Sequence, residues 1–389
     1  MKKKTRILLT VTLILASICG TTLYVSCSST PKTAEGFVKR GDAYFLKNEL
    51  DKAIADYTEA IRLDPDYAEA YLWRGEVYYF KDELDMAIAD YTEAIRLDPD
   101  YAEAYLSRGI AYYIMDALVM AFVDYNEAIR LDPDYAYAYK WRGDAYSEEG
   151  EFDMAIADYT KVIKLDPNDA SAYTKRGDAY YYKEDYDQAI ADYTQAIKLD
   201  PDYAYAYYSR GLAYRYKEDY DRAIADYTQA IKLDPDDAHY YTSRGDAYYY
   251  KEDYDQAIAD YTQAIKLDPN DADVYYSRGL AYSNKKDYER AIADYTEAIK
   301  LNPNDAGAYN SRGWAYALKG DYDRAIEDAN ASLGIEPDVA HTLHTRGYAY
   351  AGKGDYDQAI ADFEAALKIN PKLAEAKQDL KKARQARGR

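Results

Sequence analysis

From residue 34 to residue 373 apolar side chains recur in a fixed pattern, ten copies at a period of 34. Numbering each copy from its first alanine, apolar or small residues hold positions 4, 8 and 11, then 17, 20, 21, 24, 27 and 28. The first set has the i, i+4, i+7 spacing of one helix face and the second repeats it, so each copy is predicted to form two amphipathic helices, A and B. In repeat 5 these positions include Tyr173, Gly177 and Tyr180, then Ala189, Tyr193 and Ala196. Asp185 stands where an N-cap of helix B is needed, Asp187 adds negative charge to its first turn, Lys198 lies in its last turn, and Pro201 ends it. Gly at 8 opposite Ala at 20 is expected to let the two helices cross closely. Prolines from Pro65 to Pro371, at position 32, and Arg-Gly pairs from Arg40-Gly41 to Arg346-Gly347 keep this register through every copy.

Period and signature (aromatic at 4, Gly at 8, Tyr at 11, Ala at 20, aromatic at 24, small at 27, Pro at 32) resemble the tetratricopeptide repeat (TPR). The chain departs from that pattern with Arg in place of Leu at position 7 throughout, and with Ala329 for the aromatic at 24 in repeat 9. The resemblance implies an all-α, right-handed superhelical solenoid of ten helix-turn-helix repeats over residues 34–373, with the A helices lining a concave groove. Physics agrees, because a single hairpin of this size cannot bury its own apolar face and gains stability by stacking on the next. Residues 374–389, with Leu380 and Ala383 on a charged background, are predicted to form a basic C-terminal cap helix.

Composition narrows the function. Seventy acidic against 49 basic residues give a net charge of −21, and residues 34–371 alone carry −31. Such a surface does not grip phosphates, so nucleic acid is excluded as a partner. The two cysteines, Cys19 and Cys27, precede the repeats, which leaves the body without a thiol nucleophile or a disulfide framework. His341 and His344 lie three apart but lack a third metal ligand nearby, and His239 is isolated. No phosphate-binding glycine loop or nucleophile elbow occurs, so the chain is not expected to be an enzyme and no cofactor is implied.

The N-terminus has the layout of an export signal. Lys2, Lys3, Lys4 and Arg6 precede an apolar run from Ile7 to Ile18, and small and polar residues lead to Cys27. Residues 1–27 resemble a bacterial lipoprotein signal, with Cys27 as the lipidation site and residues 28–33 as a polar tether, although Tyr24 stands where an aliphatic residue is usual. Ordinary cleavage and an uncleaved anchor are the alternatives. Each places the body outside the cytoplasm, in the periplasm or cell envelope, and membrane tethering is expected.

Of the 50 tyrosines, 32 occupy packing positions 4, 11, 17 or 24, where Arg at 7 and Asp at 23 are expected to form structural pairs and to serve their hydroxyls. Twelve others fall on the helix A face at positions 2, 5, 9, 12 and 13: Tyr79, Tyr113, Tyr137, Tyr181, Tyr182, Tyr205, Tyr208, Tyr216, Tyr249, Tyr250, Tyr276 and Tyr348, with Phe45, Phe80 and Trp314 alongside. Glu69, Glu76, Glu103, Asp144, Asp178, Asp246 and Asp273 share that face. Rings beside carboxylates suit an extended peptide or protein segment of basic character. Chaperone-type family members hold a C-terminal carboxylate with Lys, Arg and Asn in the groove; here Lys140 is a lone basic residue at position 5. Carbohydrate stacking on the same rings and a purely structural spacer are rival readings. On the opposite face, Met86, Met120 and Met154 hold position 19 of repeats 2 to 4, and repeat 3 adds Val119 and Val123 where its neighbours carry other residues. This convex patch is expected to mark a partner contact or self-association.

Overall fold

Each copy folds into the expected helical hairpin. The structure, a computed structural model, describes residues 31–388, so the signal segment and Cys27 lie outside the described residues. Among the described residues there are 21 helices and no strands. Helix A spans positions 1–13, from Ala34–Leu46 in repeat 1 to Ala306–Leu318 in repeat 9, and helix B spans positions 17–30, from Leu50–Leu63 to Tyr356–Ile369. Helix A of repeat 10, Ala340–Lys353, is one residue longer, and the basic tail forms the helix Ala374–Arg387. None of these helices is long and apolar enough to cross a membrane.

The chain divides into two compact units. Residues 31–184 hold repeats 1 to 4 and helix A of repeat 5; residues 185–388 hold helix B of repeat 5, repeats 6 to 10 and the terminal helix. Within each unit every helix packs on its neighbours in sequence, which is how hairpins too small for a core of their own share one. Ala at 20 and the aromatic at 24 are buried wherever they occur, as with Ala257 and Tyr261, or Ala359 and Phe363. In the terminal helix Ala376 and Ala383 are buried and Leu380 packs near Phe363, which closes the apolar end of repeat 10.

Arg at 7 ties its own hairpin together and reaches the one before it. In repeats 1 to 4 and 6 to 10 its Nε and Nη2 donate to both oxygens of the buried Asp at 23 of the same repeat, at 2.7–2.8 Å. Its Nη1 donates to residue 25 of the preceding repeat, as Arg244 does to Thr228 at 3.0 Å and Arg346 to Asn330 at 2.8 Å. The guanidinium also lies over the ring at position 4, 5.8 Å from its centroid for Arg244 and Tyr241. The expected pairs therefore exist, but they do not serve the hydroxyl at 24. In repeats 1, 4 and 7 that hydroxyl goes to the acidic residue 9 of helix A: Tyr57 to Asp42 at 2.7 Å, Tyr159 to Asp144 at 2.7 Å and Tyr261 to Asp246 at 2.9 Å.

Glycine at 8 is required by the ring at 24 rather than chiefly by Ala at 20. A Cβ on Gly245 would lie 2.8 Å from Cε1 of Tyr261. In repeat 9, where Ala329 replaces the ring, the nearest atom to a Cβ on Gly313 is Asp328 Cβ at 3.1 Å. Helix A then ends on a left-handed residue at position 15, with φ between 59° and 64° at seven non-glycine positions that include Glu218 and Glu252, and between 76° and 83° at Gly150, Gly320 and Gly354. Asp185 caps helix B as expected, accepting from the Gln188 amide at 3.2 Å, and Asp219, Asp253, Asp287, Asp321 and Asp355 do the same in later repeats. Repeats 1 to 4 have Glu49, Glu83, Ala117 and Glu151 there, without a side-chain cap.

Two outcomes follow for stability. Gly245→Ala is expected to cost about 1–3 kcal/mol through overpacking against Tyr261, whereas Gly313→Ala stays near neutral, measured as the difference in denaturant midpoint and Tm between the two variants. Glu218→Gly is expected to raise stability by about 0.5–1 kcal/mol, since relief of the left-handed strain outweighs the entropy glycine adds to the unfolded chain; an unchanged or lower Tm in calorimetry refutes it.

Candidate functional site

Within each unit, polar contacts 31 or 35 residues apart join positions 5, 6, 9, 12 and 13 of successive A helices. In residues 31–184, Ser107 Oγ donates to Glu76 at 2.6 Å and Lys175 donates to Asp144 at 2.7 Å. In residues 185–388, Arg215 donates to Asp246 at 3.0 Å, Asn284 to the Tyr249 hydroxyl at 3.0 Å, and Tyr276 and Ser311 share a hydrogen bond of 3.3 Å. His344, buried, contacts Asp379 of the terminal helix at 3.1 Å, and no group of three His, Cys, Asp or Glu able to hold a metal exists among the described residues.

The expected groove residues fall into three environments. Glu76, Tyr79 and Tyr113 are buried and form floor rather than open contact surface. Burial pushes the Glu76 carboxyl up, opposed by the hydroxyls of Ser107 and Tyr91. Tyr137, Asp144, Asp178, Tyr181, Tyr205, Tyr208, Asp246, Tyr249, Tyr276 and Phe80 are half-buried on the face itself. Asp144 and Asp246 are already engaged, each by a tyrosine hydroxyl from the core and a cation from a neighbouring A helix. Rings pack edge to face or tilted: Phe45 on Phe80 at 5.0 Å, Tyr113 on Trp141 at 5.9 Å, Tyr208 on Tyr240 at 5.0 Å, and Trp314 on Tyr348 at 5.0 Å.

At position 13 Phe80 and Asn284 contact position 12 of the repeat before, whereas Tyr182, Tyr216 and Tyr250 do not belong to this face, which corrects the expectation for these three. These rings are 53–63% exposed and stack flat on the residue at position 17 of the preceding repeat, Tyr182 on Phe152, Tyr216 on Tyr186 and Tyr250 on Tyr220, at 5.4–5.7 Å. They stand on the edge where helix A turns into helix B. Beside them runs a ladder the sequence reading missed: the basic residue at 14 pairs with the acid at 18 of the preceding repeat. Lys81 meets Asp51 at 2.8 Å, Lys319 meets Glu289 at 3.0 Å, and Lys183–Asp153, Lys217–Asp187, Lys251–Asp221, Lys285–Asp255 and Lys353–Asp323 match them. Arg387 and Asp357 extend it to the terminal helix at 3.1 Å. A constant 30-residue offset between Lys and Asp was its sequence signal.

Repeat 3 interrupts that ladder on both sides. Met115 stands in place of the lysine and Val119 in place of the aspartate, and Ala117 supplies no cap. The helix B patch is exposed as expected: Val119 at 77%, Val123 at 58%, and Met86, Met120 and Met154 at 48–50%, with Met115 added at 45%.

Lys140 is not the whole basic inventory of the helix A face, since Lys39 and Lys175 occupy position 6. Lys39 pairs with Glu35, Lys140 with Asp169 at 2.9 Å and Lys175 with Asp144. The chain thus binds its own groove cations internally.

Family models agree with this architecture. One described as TPR repeat matches residues 41–82, 81–115, 143–183, 177–215 and 245–286, and others described as tetratricopeptide repeat match 124–157, 204–237, 272–305, 294–327 and 340–373. No curated protein matches the chain. Among solved structures it is similar to YrrB, described as a TPR protein with an unusual peptide-binding site, at 26% identity over 49% of this chain and 97% of that one, with a TM-score of 0.44. It is also similar to MamA, at 31% identity over 44% and 94% of the two chains with a TM-score of 0.41. PilF of Pseudomonas aeruginosa aligns at 19% identity over 55% and 97%, with a TM-score of 0.48. Ten copies of the signature, the hairpins they build and family matches over most of residues 41–373 establish that the chain belongs to the tetratricopeptide repeat family.

Proposed function

We propose that this protein is a non-enzymatic interaction scaffold of the cell envelope, whose helix A face binds an extended, basic segment of a partner protein. Tetratricopeptide repeat proteins mediate protein–protein interactions. The observation that carries the more specific reading is that the helix A face of each unit presents half-buried tyrosines, Tyr181 in residues 31–184 and Tyr205 and Tyr249 in residues 185–388, together with carboxylates such as Asp144 and Asp246, while the face's lysines are taken up by the chain's own acids. Preordered rings lose little entropy on binding and accept cations over their faces, and the surrounding negative charge steers a basic partner. A peptide C-terminus finds no open basic cradle in Lys39, Lys140 and Lys175, each held by an acid. Export and tethering through Cys27 rest on the basic cluster and the apolar run of residues 1–27.

The helix B side of repeat 3 is the second contact surface in this proposal, taken by another copy of the chain. Elsewhere on that side position 18 is acidic and position 19 is mostly Lys, Gln or Arg, so contact between two copies would desolvate charges; Val119, Met120 and Val123 remove that cost and add apolar area.

Crosslinked envelopes offer the test of the first reading. The native chain is expected to capture a protein that Tyr181→Ala/Tyr249→Ala loses, whereas the edge pair Tyr182→Ala/Tyr250→Ala retains it; equal capture by all three forms, with circular dichroism unchanged, overturns the groove. For the second surface, Val119→Asp/Met120→Gln/Val123→Ala is expected to lower the sedimentation coefficient from that of a dimer to that of a monomer, and an identical profile for native and variant removes the self-association site.

A further inference from the structure

The carboxylates of the helix A face differ in how they are neutralised. In repeats 4 and 7, Asp144 has Lys175 and Asp246 has Arg215. In repeats 1 to 3 Glu35 is paired with Lys39, but Asp42, Glu69, Glu76 and Glu103 form no ion pair among the described residues. The first three take hydrogen bonds from neutral donors instead. Tyr57 donates to Asp42 at 2.7 Å, Tyr67 and Trp73 Nε1 donate to Glu69 at 3.1 and 3.4 Å, and Ser107 donates to Glu76 at 2.6 Å. These acids act on one another and on the rings between them. The Asp42 carboxyl is pushed up to about 6 by burial, opposed by the Tyr57 hydroxyl and helped by the charge of Glu69. Tyr67 is pushed up to about 12 by burial and then by Glu69. Burial raises Tyr101 as well, with Glu69, Glu103 and Glu76 adding to it.

A second observation singles out the same place. The hydroxyl of Tyr79, a residue only 9% exposed, has no hydrogen-bond partner, although it lies one helical turn from Glu76 and within reach of that carboxylate's field. The buried hydroxyl of Tyr125, close enough to act electrostatically with Tyr79, is also without a partner. Nearly all buried hydroxyls in folded proteins are satisfied, and an orphan beside unneutralised acids marks where a donor is missing. An ammonium group is such a donor: it brings three N–H bonds and one positive charge, where a peptide amide brings no charge. No three ligands there are grouped to hold a metal ion.

We infer that the helix A face of repeats 1 to 3 is the subsite that takes a lysine side chain of a bound peptide, with Glu69 and Glu103 at the rim and Glu76 and Tyr79 at the floor. This rests on the peptide-binding reading above and adds to it a position and a side-chain class. Glu69 and Glu103 occupy the same register one repeat apart, so a stretched segment passes both while its lysine turns inward. Phe80, edge-on to Phe45 at 5.0 Å and to Tyr79 at 6.1 Å, offers the apolar wall for the lysine stem.

The test uses the full-length protein and a fluorescein-labelled Gly-Ser peptide carrying two lysines, followed by anisotropy. Glu69→Gln/Glu103→Gln, exposed and isosteric, is expected to weaken binding about tenfold, as is acetylation of the peptide lysines, while Asp246→Asn changes it less than about twofold. Tyr79→Phe is expected to weaken binding about threefold with its Tm unchanged or higher, because it removes an unsatisfied hydroxyl from the free protein. Native chain that fails to bind the lysine peptide, or binds the acetylated one equally well, overturns the subsite. So does a Glu69→Gln/Glu103→Gln variant that binds like the native chain; if Tyr181→Ala/Tyr249→Ala still abolishes binding in that case, the peptide groove stands and only its lysine subsite falls.

Discussion

One arginine per repeat carries two jobs. Its Nε and Nη2 close the hairpin onto Asp at 23, and its Nη1 reaches residue 25 of the repeat before, so hairpin and interface are held by the same planar group. In a repeat array, stability is approximately intrinsic repeat stability plus nearest-neighbour coupling. A residue that contributes to both terms makes neighbouring hairpins cooperative. The geometry needs a fork: lysine cannot bond both carboxylate oxygens and a third acceptor in a fixed plane. Loss of the arginine would leave an aspartate such as Asp260 buried without its countercharge, a defect worth about 3–5 kcal/mol where an ion pair is removed from one side only. This accounts for Arg where the family pattern has Leu.

Most of the fold is legible in the sequence because its determinants are local and repeated. Helix bounds follow from the apolar spacing, and Asp185 caps the helix it precedes. The hairpin also follows from Gly at 8, which the carbonyl at position 20 approaches, as Ala359 O does at 3.2 Å from a Cβ on Gly347, but the atoms that come closest belong to the ring at 24. That addition has a physical origin: spacing tells which residues share a helix face, whereas which ring fills the gap between two helices depends on crossing geometry. The same limit explains the hydroxyls. Tyr at 24 lies one residue from Asp at 23, yet its ring points through the hairpin to residue 9, fifteen positions back. Tyr182, Tyr216 and Tyr250 show the third failure: spacing puts position 13 on the helix A face, but each ring stacks on the aromatic at position 17 of the preceding repeat, a neighbour 30 residues back that helix periodicity does not reveal. Apolar exposure at Met86, Val119 and Met154 was legible, because a lone departure from a charged register has nowhere to hide on a helix surface.

Variation among the copies is therefore structured. Positions 7, 8 and 23 do not change, whereas position 9 runs through Asp, Glu, Ile, Leu, Trp and Tyr. Position 9 looks like surface, yet Asp42, Asp144 and Asp246 there each accept from a buried hydroxyl. Where it is Ile110, the Tyr125 hydroxyl beneath it has no partner; where it is Leu280, the Tyr295 hydroxyl turns to Ser283. The charge presented on the helix A face is thus tied to satisfaction of the core underneath. An acid there has its lone pairs oriented by a tyrosine from below and loses side-chain freedom before any ligand arrives, which lowers the entropic cost of recognition. Replacing it with an apolar residue changes the face and strands a hydroxyl in the same step. The helix A face and the hairpin core in this protein are two sides of one polar contact, and a copy diverging at position 9 alters both.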